Sequence, residues 1–151
     1  VMGDACDGID NDCDGAADED ADPSEPTSWY QPIAMGSLDI SGDSVSSSSV
    51  LTHESDTDAF SFYFYDHPDL PPDDDDFSCI ITPPNNVDIA VELLFNGTSL
   101  GMVDSNGTGL AEEIIYDGIF LIDDEGIYTV VVTSYSGSDC SNAVAVTCNK
   151  P

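Results

Sequence analysis

Asp56-Thr57-Asp58-Ala59-Phe60-Ser61-Phe62-Tyr63-Phe64-Tyr65 is the stretch whose pattern settles what kind of fold this chain can adopt. Phe60, Phe62 and Phe64 alternate with Ser61, Tyr63 and Tyr65. Side chains two residues apart on an extended chain share a face, so this is a strand that offers one aromatic face to a core. Val87-Asp88-Ile89-Ala90-Val91-Glu92-Leu93 repeats the alternation with aliphatic residues and runs on to Asn96-Gly97, a pair suited to a tight turn. Working outward, short aromatic and β-branched runs broken by Gly, Asn, Asp and Pro predict strands over 38–41, 45–52, 58–65, 77–82, 87–95, 112–116, 127–134 and 143–148. No segment requires a helix. The expected fold is an all-β, two-sheet antiparallel β-sandwich, although the pattern alone does not separate a sandwich from a barrel.

Residues 1–26 read differently. They are Asp, Gly, Ala and Pro with hardly any large apolar residue, so they cannot bury a core and need another organiser. The division falls at 23–27, which gives an Asp-rich head over 1–26 and a sandwich over 27–151. Within the head, Cys6-Asp7-Gly8-Ile9-Asp10-Asn11-Asp12-Cys13-Asp14-Gly15-Ala16-Ala17-Asp18-Glu19 sets Asp at three alternate positions, then Gly, then Asp four residues on. That spacing is most of an EF-hand-type calcium loop. Asp10, Asp12 and Asp14 turn their carboxylates toward one centre, Gly15 permits the bend, Ala16 offers its carbonyl and Asp18 closes the ring. Ala21 stands where the bidentate acid is expected, so Glu19 is a substitute ligand, with Asp7 as a further donor. Hard oxygen donors with no histidine nearby favour calcium over zinc or copper, and magnesium prefers to keep its waters. Cys6 and Cys13 can close a disulfide around the first ligand, a cross-link worth about 2.5 kcal/mol on loop entropy. A second calcium site is a candidate where Asp56 and Asp58 meet the Asp73-Asp74-Asp75-Asp76 run.

The charge excludes whole classes of partner. The chain of 151 residues carries 31 acidic residues against one cation, Lys150, for a formal net charge of −30. Phosphate binding needs Lys and Arg to displace counterions, so nucleic acid is excluded, and anionic membrane surfaces with it. No apolar stretch is long enough to span a bilayer as a helix. Asp outnumbers Glu by 24 to 7, which points to loops and hard cations and away from a solvated helical surface. Five cysteines with no CxxC spacing, and a chain beginning at Val1 as a processed product would, point to a secreted protein of the extracellular space or cell surface. Cys140 and Cys148 flank a predicted strand that would hold them roughly 20–26 Å apart, too far for a disulfide. Cys79 therefore pairs with one of them. Cys148 is preferred, because Cys79 shares parity with Phe77 and Ile81 while Cys148 shares it with Val144 and Val146, and one thiol is left over. His53 and His67 belong to no Ser/His/Asp or metal motif, and a non-enzymatic role is expected. Asn96-Gly97-Thr98 and Asn106-Gly107-Thr108 are glycosylation sequons by pattern, so glycans are possible partners.

Three resemblances extend this reading. The head resembles the MopE-type metal-binding repeat of bacterial exported proteins, and Gly3-Asp4-Ala5-Cys6-Asp7 is similar to the thrombospondin type 3 repeat; both imply chain wrapped around calcium without flanking helices. From Ser37 onward the order of elements resembles the bacterial pre-peptidase C-terminal domain. The carriers are Asp56-Thr57-Asp58-Ala59-Phe60-Ser61-Phe62, Val87-Asp88-Ile89-Ala90-Val91-Glu92-Leu93, Asp104-Ser105-Asn106-Gly107, Glu113-Ile114-Ile115-Tyr116 and Gly126-Ile127-Tyr128-Thr129-Val130-Val131-Val132. This implies a jelly-roll-like sandwich serving as an accessory binding or adhesion module. Self-association is expected too. The apolar residues Trp29, Tyr30, Ile33, Met35, Leu38 and Ile40 need a surface, which a neighbouring copy can supply by docking the head or by taking 29–40 as an extra edge strand. Such contact is head-to-tail and builds an open filament unless its rotation closes a ring, with calcium as the counter-ion between like-charged copies. A carbohydrate- or protein-binding accessory module is the alternative.

Overall fold

The computed structural model describes residues 31–66, 76–118 and 124–151. Its strands are β1 (Ile33–Leu38), β2 (Ser44–Leu51), β3 (Thr57–Phe64), β4 (Phe77–Thr82), β5 (Asp88–Phe95), β6 (Thr98–Val103), β7 (Glu112–Tyr116), β8 (Gly126–Ser136) and β9 (Asp139–Asn149), with no helix among the described residues. From β2 onward the chain pairs as one long folded ribbon: β2 with β9, β3 with β8, β4 with β7 and β5 with β6, each pair antiparallel. Wrapping that ribbon deals the pairs alternately into two sheets, ordered β3-β8-β5-β6 and β2-β9-β4-β7. This is the order of a jelly roll, so the expected all-β, two-sheet antiparallel sandwich is the fold.

β1 lies outside that plan. It adds to the free edge of β3, and the pair runs parallel, from Ile33 opposite Phe60 to Leu38 opposite Phe64, with a bulge between Ala34 and Gly36. The sequence alone predicts a strand over 38–41 and offers 29–40 to a neighbouring subunit. Both expectations need correcting. The chain turns at Ser41-Gly42, where Gly42 has a positive φ of 93°, and residues 33–38 already cover the chain's own sheet edge. β6 was not expected from the pattern at all, yet Asn96 and Gly97 (φ 47° and 85°) make the tight turn that leads into it.

Phe60, Phe62, Phe64, Val91, Tyr128, Val130 and Val132 line the inner face of one sheet, and Phe77, Cys79, Ile81, Val144, Val146 and Cys148 that of the other; together they form one buried core. The ladders also fix which residues meet at each end. Ser44 and Ser78 both lie opposite Asn149, and Phe64 lies opposite Gly126, so one end collects residues 39–43, 65–66, 76, 117–118, 124–125 and Lys150. The 52–56, 83–87, 104–111 and 137–138 connections sit at the other end.

Candidate functional site

The proposed calcium ligands Asp7, Asp10, Asp12, Asp14, Ala16, Asp18 and Glu19, and the Cys6–Cys13 pair, lie outside the described residues. Asp56 and Asp58 are described, and both are buried. Asp56 closes the 52–56 turn: its Oδ2 accepts from the Thr52 amide at 2.7 Å and from the Thr52 hydroxyl at 3.2 Å. Its carbonyl accepts from the Ser134 amide, and the Ser134 carbonyl accepts from the Ser55 amide. Asp58 takes a hydrogen bond from the Ser49 hydroxyl, which joins β3 of one sheet to β2 of the other. Asp76, which accepts from the Gly118 amide at 3.3 Å, belongs to the opposite end of the sandwich. The structure therefore does not bring Asp56 and Asp58 to Asp76. Among the described residues no group of three or more His, Cys, Asp or Glu is arranged to hold a metal ion.

Cys79 and Cys148 form a disulfide. They are direct cross-strand partners on β4 and β9, with Cα atoms 4.0 Å apart, and neither is exposed. The parity that sets both on the core face is what makes the bond possible. It closes a separation of 69 residues inside the four-stranded sheet.

A residue that the sequence reading passes over organises the acidic end. Lys150, the chain's one cation, is buried at 1% exposure. Its Nζ donates to the carbonyls of Asp39 (3.0 Å) and Tyr65 (2.9 Å) and stands 4.7 Å from the centre of the Phe64 ring. Its amide donates to the Asp43 carbonyl, and its own carbonyl accepts from the Gly42 amide. One side chain thereby ties the β1–β2 turn and the exit of β3 to the end of β9. Asp43 Oδ2 accepts the Asp39 and Ile40 amides at 2.9 and 3.0 Å. Those amides, the Ile40 bond first, hold the Asp43 carboxyl below its usual range, and Lys150 adds to the effect. Lys150 stands as the only basic residue just past a predicted strand, and that is the whole of its signal in the sequence.

Beside it lies an aromatic cluster. Tyr128 packs against Phe62, Phe64, Phe77, Phe95 and Tyr116, with centroids 4.8–5.9 Å apart. The Tyr128 hydroxyl donates to the Asp124 carbonyl at 2.9 Å, and the Tyr116 hydroxyl donates to Asp124 Oδ2 at 2.8 Å. Burial first, then its bond with Tyr116 and the charges of Asp124 and Asp66, pushes the Tyr128 phenol far above its ordinary pKa.

The sequon asparagines work in turns. Asn96 Oδ1 accepts the Ile127 amide at 3.1 Å, and Asn106 Nδ2 donates to the Ala111 carbonyl at 2.7 Å. Buried Glu112 accepts the Ser105 and Asn106 amides through Oε1 and fixes the 104–111 loop. Where the sandwich stays open, between β6 and β7, Leu93, Leu100, Met102, Ile114, Ile115 and Tyr116 line a groove of about 520 Å³.

No protein-family model matches the chain, and no curated protein matches it by sequence. In structure it is similar to the pre-peptidase C-terminal domain of a collagenase from Bacillus anthracis, at 10% identity and a TM-score of 0.42, over 78% of this chain and 94% of that one. The jelly-roll assignment stands on the chain's own strand order. The class that fold and site define is a jelly-roll module pinned by a disulfide and fastened at one end by its only cation.

Proposed function

We propose that this chain is a secreted, non-catalytic calcium-binding protein with a structural or adhesive role. In this reading Asp10, Asp12, Asp14, the Ala16 carbonyl and Asp18 hold calcium in the 1–26 head, and copies associate head-to-tail through it. One observation carries the reading: the only cationic side chain of a chain at −30 is buried and spent on main-chain carbonyls, so its surface has no Lys or Arg to answer a second copy's carboxylates. Close contact between copies then requires counter-ions, and bound calcium supplies them at the contact itself. The disulfide inside the sandwich supports assembly in an oxidising compartment. Among the described residues no helix is long and apolar enough to cross a membrane.

Calorimetric titration of the full chain tests the calcium assignment. Asp10→Ala and Asp12→Ala are each expected to abolish the tightest calcium site, and unchanged binding in both would overturn it. A second reading, an accessory module that binds carbohydrate or protein, is favoured by the apolar groove between β6 and β7. Deletion of residues 1–26 separates the two readings, since it ends association through the head and leaves a groove-based activity intact.

A further inference from the structure

Phe64 and Gly126 are the last partners of the β3–β8 ladder. Continued by two residues, the same register sets Asp66 opposite Asp124. Positions of this parity on β3 face the core, as Phe60, Phe62 and Phe64 do, and both aspartates are buried, at 6% and 5% exposure. The residues between them and the ladder turn outward: Tyr65 is exposed, and Glu125 accepts the Tyr63 hydroxyl at 2.8 Å. Asp124 already serves the two tyrosines of the aromatic cluster, through Oδ2 and through its carbonyl. The charges of Asp124 and Asp66 both help to raise the pKa of the buried Tyr128 phenol.

Asp66 is set apart from the other buried acids of the sandwich. Glu112 takes two amides, Asp56 takes Thr52 twice and Asp58 takes Ser49. Both carboxylate oxygens of Asp66 are shut off from solvent with no hydrogen-bond partner. A buried carboxylate in that state is costly, and a second carboxyl group opposite raises the cost. Lys150 is close by, with its Nζ on the Tyr65 carbonyl, but both of its side-chain hydrogen bonds go to main-chain oxygens.

We propose that Asp66 and Asp124 bind a calcium ion at this end of the jelly roll, with main-chain carbonyls and water completing its shell. Two carboxylates and neutral oxygen donors suit a hard cation that accepts six to eight oxygens in flexible geometry, and they suit soft metals poorly. The ion would fasten the exit of β3 to the entry of β8, beside the place where Lys150 fastens β3 to β9. This site is independent of the head.

Terbium, a luminescent stand-in for calcium, tests the proposal, because Tyr116 and Tyr128 stand beside Asp124 and would sensitise its emission. The full chain carrying Asp10→Ala and Asp12→Ala is titrated with terbium under tyrosine excitation, and the same chain with Asp66→Asn is titrated alongside it. The signal read is the difference between the two, so terbium held elsewhere, the head included, does not enter. The expected result is emission that calcium competes away, that Asp66→Asn removes, and that Asp104→Asn at the far end of the sandwich leaves unchanged. Thermal unfolding guards against a folding defect: calcium should raise the Tm of the parent and not that of Asp66→Asn, which itself stays folded. Equal emission with and without Asp66→Asn would overturn the proposal. So would a parent without emission whose Tm rises on Asp66→Asn in the absence of calcium, the mark of a buried carboxyl group that no ion offsets.

Discussion

Lys150 and Asp43 act as one fastening, and each can be tested alone. Lys150→Ala removes two charge-assisted hydrogen bonds and leaves the carbonyls of Asp39 and Tyr65 facing an apolar gap. The expected cost is about 2–3 kcal/mol, read as a lower urea midpoint. A change within about 0.5 kcal/mol, the range of ordinary surface substitutions, would contradict the role given to it. Asp43 makes a pH prediction. Its carboxyl is held below its ordinary value of 3.8 in the folded chain, so its stabilisation is fully present above that value and is lost as pH falls through the lowered one. Asp139 behaves alike, its carboxyl lowered by Asn142 and by the Ser141 and Asn142 amides. Urea midpoints followed downward from about pH 4 should therefore fall less steeply in Asp43→Asn than in the parent chain. Parallel curves would contradict the assignment.

At the scale of elements, the disulfide is the cross-link between a strand early in the sandwich and its last one. Constraining a loop of this separation, 69 residues, removes about 4 kcal/mol of unfolded-state entropy. A Cys79→Ala, Cys148→Ala double variant should lose stability of that order in urea unfolding, with the fold retained, and an unchanged midpoint would show the bond to be dispensable. The pairing was legible before the structure, because residues with one buried face carry a period of two, and Cys79 and Cys148 sit on that period. β3 and β5 were legible for the same reason. β6 was not: from Thr98 to Met102 every residue is exposed, so no alternation exists to be read, and only Asn96-Gly97 marks its approach. β1 was misplaced because its bulge at Ala34 to Gly36 breaks the period and its partner β3 runs parallel to it. Local pattern cannot express what joins distant residues. Lys150 reaches Asp39 across 111 positions, and Asp66 falls opposite Asp124 only when the β3–β8 register is continued past Phe64 and Gly126.

For the whole molecule the governing quantity is charge. At −30 with its one cation inside, each copy repels the next, and salt bridges between copies cannot be drawn from Lys or Arg. The apolar segment that had offered itself to a neighbour is partly consumed at home, since residues 33–38 cover β3. Under the proposed function the Asp-rich head is the contact, and head-to-tail contact builds an open filament unless its rotation closes a ring. The most direct measurement is sedimentation velocity of the full chain in calcium and in excess chelator, with the 1–26 deletion run alongside. Calcium should give species larger than the 16.0 kDa monomer, while chelator and the deletion should each give monomers whose β-sheet circular dichroism is unchanged. A full chain that sediments as a monomer in calcium would contradict the account.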